Sequence, residues 1–326
     1  MKEKKQKKKI KSLKAIGIVL LLIVLLLCIL LVGGTYYLGK IKNVKLNESD
    51  ISVSSIPKTI ENNEGKEINR NEVTNILLLG VDKQEDASDS IIVLSLDDTK
   101  KQIKMASLLR DTYVFYGEDK VNKLNYAYHY GGAVNSVKTV NEEFKLDIKD
   151  FVKVDFGGLA NIIDSIGGVE IEIKYNEVSL LNSHAKSMSK VAETSYTPIL
   201  KSGIQILNGQ QAVAYSRIRY VGNYDYERTE RQRRVLNAVF DKMKNIPITK
   251  YPDLVSKLAP YLESSLSNTE MLSLGSKIMM YGKNGIKETR CPYDDLKTDT
   301  EIKGIFYLKW EKDKNIDKLH RFIYTQ

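Results

Sequence analysis

Between Tyr215 and Arg234 the chain holds six of its ten arginines, while forty lysines supply its other positive charges. A guanidinium is a planar fork that grips carboxylate or phosphate through two hydrogen bonds; an ammonium acts as a point charge. Arg217 and Arg219 are two apart, so in an extended strand they would face the same side. Arg228 and Gln232 are four apart and on a helix share a face with Val235 and Val239, which sets polar head groups beside an apolar wall. Arg233 and Arg234 read instead as a solvated helix face. Guanidiniums at 217, 219 and 228 flank a Gly/Asn turn and repel one another unless an anion lies among them.

A second cluster is acidic. In "GVDKQEDASDS", Asp82 ends one expected strand and Asp89 stands just before the next, and Arg110 in "SLLRDTYV" closes a third. Strand ends that return to one edge bring such side chains together, and hard carboxylate oxygens beside phosphate suit magnesium or another divalent cation such as manganese. Alone, the acidic stretch reads as a solvated loop. With the arginines it describes a diphosphate site, in which a metal bridges oxygens and guanidiniums neutralise the charge growing on a leaving phosphate. Arginine interleaved with tyrosine is also a nucleic-acid footprint, but the topology below puts the segment outside the cell, so no nucleic acid is expected.

The elements that must position these residues follow from apolar patterning. "NILLLGV" (75–81), "SIIVLSL" (90–96) and "QIKMASLL" (102–109) are short aliphatic runs bounded by turn residues and read as buried strands. "AVNSVKTVNEEF" (133–144) has helical spacing, "FVKVDF" is strand-like, "GGLANIIDSIGG" is a short helix between glycine pairs, and "VEIEI" is a strand. Residues 175–200 read as a surface loop or insertion. "RQRRVLNAVFDKM" places Val235, Leu236, Val239, Phe240 and Met243 on one face of a helix that docks on the core. Residues 251–326 read as further amphipathic helix completing one domain, 73–326. Strands alternating with helices make this an α/β sandwich whose strand order the pattern leaves open.

Ahead of that domain lie three segments. Eight lysines and one glutamate in residues 1–14 give +7 of the formal net charge of +9. Residues 15–39 carry no charge over 25 residues, where about 20 span a bilayer core. The basic side of such a helix faces the cytoplasm, so everything after residue 40 is expected outside. A cleaved signal peptide is the alternative, but its apolar region is shorter and ends at a small-residue site absent here. Residues 40–72 are polar and read as a stalk. Cys28 lies within the span and leaves Cys291 with no partner, and the three histidines are scattered, so neither a disulfide nor zinc chemistry is indicated.

The blocks "TNILLLGVD", "SDSIIVLSLD", "MASLLRDTYV", "KLNYAYHYGG", "VKVDFGGLANIIDSIGGVEIEI", "LNGQQAVAYSRIR" and "YERTERQRRVLNAV", in this order over residues 74–240, resemble the LytR-CpsA-Psr family. The resemblance implies a mixed central sheet sandwiched by helices, behind one N-terminal transmembrane helix, in a single-pass cell-membrane protein with an extracellular C-terminal domain. It further implies a magnesium-dependent phosphotransferase that moves an anionic glycopolymer, such as wall teichoic acid or capsular polysaccharide, from undecaprenyl diphosphate to peptidoglycan. By motif, Asp82 and Asp89 would bind the metal, and Arg110, Arg217, Arg219, Arg228 and Gln232 would surround the diphosphate, with Lys123 and Asn125 as weaker candidates. Asp82, Asp89, Arg110 and Arg217 form the expected catalytic set, and the prenyl tail would lie between the sheet and the helix carrying Val235 and Val239. Gly131, Gly132, Gly167 and Gly168 are expected at turns with positive φ. Family members commonly have Arg where this chain has Ala87, and the loop from Asp82 to Asp89 is short for the family. Rival readings are a non-catalytic regulator or binder of an anionic polymer, and a hydrolase in which water replaces the sugar hydroxyl.

Overall fold

The computed structural model describes residues 40–53, 59–61, 67–82, 86–116, 121–218, 225–244, 246–247 and 250–325. The expected basic tail and membrane helix, Cys28, Arg219 and the Gly/Asn turn lie outside the described residues. Among the described residues no helix is long and apolar enough to cross a membrane.

Seven strands build the main sheet: β1 (Lys42–Asn43), β2 (Val73–Asp82), β3 (Ala87–Asp97), β4 (Gln102–Leu108), β5 (Asp150–Asp155), β6 (Leu262–Ser264) and β7 (Ile286–Cys291). Their spatial order is β1-β6-β5-β2-β3-β4-β7. β2, β3 and β4 form an antiparallel meander, while β5 runs parallel to β2 and β7 parallel to β4. Strands buried on both faces need aliphatic side chains at consecutive positions, which is why the three central runs read as continuous rather than alternating.

The helices are α1 (Tyr126–Phe144), α2 (Phe156–Ser165), α3 (Tyr175–Ala192), α4 (Gly209–Ser216), α5 (Asp225–Lys244), α6 (Tyr251–Leu258), α7 (Asn268–Tyr281) and α8 (Lys312–His320). Leu77, Leu79, Ile91 and Val93 pack on one face of the sheet with Val137 and Phe144 of α1 and Leu319 of α8. Ile76, Ile92 and Leu94 face the other way, toward Leu236 of α5 and Leu274 and Ile278 of α7. The expected sandwich is therefore present. Beside it, α2 to α6 enclose a second apolar cluster with the hairpin Val169–Ile173/Gly203–Leu207.

Four expectations need correction. Residues 175–192 form α3 rather than a loop: Leu181 and Ala185 fall at helical spacing and are fully buried, and Glu177 accepts a hydrogen bond from the Lys174 N–H at 2.9 Å to start the helix. The segment expected as a stalk is partly built into the domain. Its Lys42–Asn43 pairs with β6 at the sheet edge, and Ile51 and Val53 are buried in the core. The region after residue 251 contributes strands as well as helices, namely β6, β7 and the hairpin Lys297–Ile302/Ile305–Trp310. Finally, Gly132, Gly167 and Gly168 have positive φ as expected, but Gly131 has an extended φ of −173° at a kink in α1.

Candidate functional site

The two aspartates are placed by one irregularity in the ladder. β2 and β3 pair in regular register until Gly80 opposes Ser90; the next residue, Val81, opposes Ser88, so Asp89 is an extra residue that bulges out of the register. Such a bulge re-aims a side chain at a sheet edge. Asp82 closes β2 opposite Ala87, and both aspartates are buried. Gly80 allows the close pairing there, because a Cβ on it would stand 3.0 Å from Ser90 Cβ.

Arginines come to these carboxylates from separate elements. Arg110, just after β4, donates from Nη1 to Asp89 Oδ1, and its Nε lies 3.6 Å from Asp111 Oδ2. Lys123 Nζ is 2.7 Å from Asp111 Oδ1. Arg217 donates from Nη2 to Asp82 Oδ2 at 3.0 Å, with its guanidinium 4.9 Å above the Phe156 ring. Arg217 stands at the C-terminal cap of α4 and not in the extended strand that its spacing from Arg219 suggested. α4 is fixed in turn by a capping box between Asn208 and Gln211, and by Gly209, where a Cβ would lie 1.9 Å from Ala160 O of α2.

On α5, Arg228 and Gln232 are both buried, and Gln232 donates from Nε2 to the Asp89 backbone oxygen at 3.3 Å. Val235, one turn on, is buried and Val239 half-buried. The same helix corrects the reading of Arg233 as solvated. Arg233 is buried, donating to Glu288 Oε2 at 2.8 Å and to Ser107 Oγ at 2.9 Å, because β7 brings a carboxylate that the helical pattern alone does not reveal. Arg234 is half-buried between Tyr215 and Glu230. Arg231 is committed to the interior, with Glu177, Glu227 and the Ile218 carbonyl as acceptors.

Behind this constellation a cavity of about 210 Å³ runs between the sheet and α5. Leu78, Ile92, Val152, Leu236 and Val239 form its apolar wall, and Ser90, Ser216 and Gln232 bring polar groups to it. Gln232 lines the cavity and also binds Asp89, so the greasy space and the charged edge are continuous.

Among the described residues no three His, Cys, Asp or Glu side chains gather into a cage. Magnesium usually takes one or two carboxylates from a protein and the rest of its ligands from water and phosphate. Arg110, Lys123 and Arg217 pair with Asp82, Asp89 and Asp111, three positive charges against three. A diphosphate diester, with its two negative charges, leaves that set short of positive charge, and a divalent ion restores the balance. Asp82 and Asp89 fit such an ion.

Sequence reading missed Asp111, Phe156 and Asn125's placement. Asp111 follows Arg110 directly in "LLRDTY", and that adjacency was the available signal. Phe156 is recognisable only once Arg217 is seen above it. Asn125 sits at the seam: its backbone oxygen accepts from the Ser88 N–H at 3.4 Å, while its side-chain Oδ1 is buried without a hydrogen-bond partner.

Comparison with known proteins bears on the whole arrangement. A model of the LytR_cpsA_psr family matches residues 38–321. The polyisoprenyl-teichoic acid–peptidoglycan teichoic acid transferase TagU of Enterococcus faecalis is 30% identical over 231 residues, covering 68% of this chain and 71% of that protein. TagU of Bacillus licheniformis, named for the same activity, is 29% identical over 272 residues and 81% of each chain. Among solved structures, TagT bound to LI-WTA superposes with a TM-score of 0.65 at 25% identity, over 86% of this chain and 99% of that one.

Proposed function

The chain belongs to the LytR_cpsA_psr family, and from that premise we propose that it is a phosphotransferase that moves an anionic glycopolymer from a prenyl diphosphate carrier to peptidoglycan. The observation that carries this reading is the continuity between the apolar cavity along α5 and the Asp–Arg edge through Gln232. A prenyl chain lies in the cavity and its diphosphate reaches Arg110, Arg217 and Arg228. The relatives' names support a polyisoprenyl-linked teichoic acid as donor. Undecaprenyl as the carrier, and capsule as an alternative cargo, belong to the same proposal, as do the membrane anchor at 15–39 and an extracellular domain.

In the reaction a sugar hydroxyl of peptidoglycan attacks the phosphorus that bears the glycopolymer. An oxygen–phosphorus bond forms there, the bond to the bridging oxygen breaks, and prenyl phosphate leaves carrying, in the overall balance, the hydroxyl proton. Arg217 and Arg110 are already oriented by Asp82 and Asp89, so the guanidiniums need little reorganisation to follow charge onto the leaving phosphate. Asp82 and Asp89 would hold magnesium or manganese, which when bound neutralises and polarises the diphosphate oxygens. A carboxylate tied to a metal is a weak base, so metal holding ranks above proton abstraction for this pair. The apolar wall of Val235, Leu236 and Val239 keeps water from the lipid side, which favours transfer over hydrolysis.

The test is release of prenyl phosphate from a prenyl diphosphate-linked glycan by the full chain, with product analysis with and without a peptidoglycan acceptor. Wild type is expected to form the glycan–peptidoglycan phosphodiester only when acceptor and a divalent ion are present. Asp89→Asn should lose about a hundredfold or more in turnover. Binding of the polymer that is indifferent to both the ion and Asp89, with no product, would make the protein a binder instead.

A further inference from the structure

The cavity occupies the α5 side of the sheet, and a different surface meets the Asp–Arg edge from the α1 side. There the hairpin Tyr113–Phe115/Val121–Lys123, the first turns of α1 and the hairpin ending at Trp310 bring aromatic rings together. Tyr113 packs edge-on to Tyr307 at 5.4 Å, and Tyr130 lies 5.1 Å from Tyr116 and 6.5 Å from Tyr126. Tyr116 and Val114 are buried in the core and anchor the patch. Its outer rings stay wet: Phe115 is 52% exposed, Tyr130 53%, Tyr126 40% and Phe306 43%. Exposed aromatic clusters of this kind mark interaction sites.

Two links join the patch to the reactive edge. His129 Nδ1 lies 3.3 Å from Asp86 Oδ2, in the connection between Asp82 and Asp89. Lys123 Nζ lies 6.0 Å and 5.9 Å from the ring centres of Phe306 and Tyr307, while it also pairs with Asp111, itself 3.6 Å from Arg110. Asn125, with its buried unpartnered Oδ1, stands between Lys123 and Tyr126 in the chain and touches Ser88.

We propose that this patch is the seat of the acceptor glycan strand, an inference that rests on the transferase reading above. Three features favour a saccharide as occupant. A pyranose has an apolar C–H face and a hydroxyl rim, and tyrosines offer the matching combination of a negative ring face and a polar tip. An acyl chain or an apolar peptide would be met by aliphatic side chains, as in the cavity behind α5. The patch also carries charges of both signs, Lys123 and Lys309 against Asp86, so it is not a dedicated polyanion groove for the donor polymer.

Position then selects the acceptor. In phosphoryl transfer the attacking and leaving oxygens lie roughly in line. With the prenyl phosphate leaving toward α5, the incoming hydroxyl must arrive from the opposite side of the β2–β3 edge, where the patch lies. The unpartnered Asn125 Oδ1 provides an acceptor for a sugar hydroxyl at that seam.

The experiment uses the full chain in lipid nanodiscs, a prenyl diphosphate-linked glycan as donor and a soluble uncross-linked peptidoglycan strand as acceptor. Tyr126→Ala/Tyr130→Ala should raise the acceptor KM about tenfold through loss of two ring contacts, with donor KM and kcat at saturating acceptor unchanged. Tyr126→Phe/Tyr130→Phe should restore most of it. Calorimetric binding of the strand alone, without donor, should weaken to the same degree. This arm reads out even if the protein transfers nothing, so failure of the transferase reading and failure of the patch are told apart. A rise in donor KM instead would assign the patch to the donor's sugars, and unchanged binding and kinetics would overturn the proposal outright. Should the double variant fail to fold by circular dichroism, Phe306→Ala on the other hairpin carries the same expectation and the same refutation.

Discussion

The two ends of the same pair of strands hold charged networks of opposite character. At one end, Asn75 of β2 and Ser95 of β3 hydrogen-bond at 2.6 Å, and Asn75 Nδ2 reaches both Asp147 and the Tyr324 hydroxyl. Arg70 donates to Tyr324 and to the Lys145 carbonyl, and Lys104 Nζ donates to the Ile323 carbonyl at 2.7 Å. The C-terminal residues close over this end, and Arg70 and Lys104 are fully buried. At the other end, Asp82 and Asp89 meet Arg217 and Arg110, which keep 29% and 12% of their side-chain surface exposed beside an open cavity. A polar network sealed by the segment around Ile323 and Tyr324 serves stability; one left at a cavity mouth has its forks placed for something from outside.

Substitutions at the two ends should separate the two roles. Arg70→Ala removes the donor that holds Tyr324 and the Lys145 carbonyl and should cost about 3 kcal/mol, seen as a Tm lower by roughly 6–12 °C, with activity at low temperature retained. Arg217→Ala should do the reverse, lowering prenyl phosphate release about a hundredfold while Tm hardly moves. If Arg217→Ala unfolds the protein and Arg70→Ala silences it, the distinction between the ends is wrong.

A pH effect comes third in size and belongs to the sealed end. Burial first, then the nearby Arg70 charge, depresses the His320 pKa from 6.5 to about 4, while its ring Nε2 meets the Phe144 carbonyl at 2.9 Å. The folded state therefore keeps this histidine neutral where the unfolded chain takes up a proton. Its stability contribution is complete above about pH 6.5 and is lost as pH falls toward 4, the loss reaching about 2 kcal/mol by pH 5. Denaturant titrations at pH 7.5 and 5 should show this loss in wild type and a smaller one in His320→Gln. The smallest expected change is at the open end: Val239→Ala trims the cavity wall and should weaken the prenyl donor about fivefold, near 1 kcal/mol, with kcat intact.

Legibility in the sequence followed the range of the interactions involved. β2, β3 and β4 were readable because burial on both faces demands unbroken aliphatic runs, and α5 because Gln232, Val235 and Val239 keep helical spacing. α3 was hidden by its serines and lysines, although Val178, Leu181 and Ala185 carried the period. β1 and β7 were missed because edge strands as short as Lys42–Asn43 or as polar as "IKETRC" have little apolar pattern. In the site, Asp82, Asp89 and Arg110 were legible as strand-end residues. The bulge at Asp89, the bridge through Asp111 and the ring of Phe156 beneath Arg217 depend on register and tertiary approach, which no local window contains. Arg231 and Arg233 show the limit most clearly, since their acceptors Glu177 and Glu288 come from distant elements.

The extra residue at position 89 bears on how this protein can diversify. The ladder locks at Gly80 opposite Ser90, and both acidic side chains take their places from that lock. The sequence between Asp82 and Ala87 can therefore vary while Asp82 and Asp89 stay where the ladder sets them. Under the proposed function, variation in this connector, which carries Asp86 beside His129, would alter the neighbourhood of the acceptor patch without moving the two aspartates.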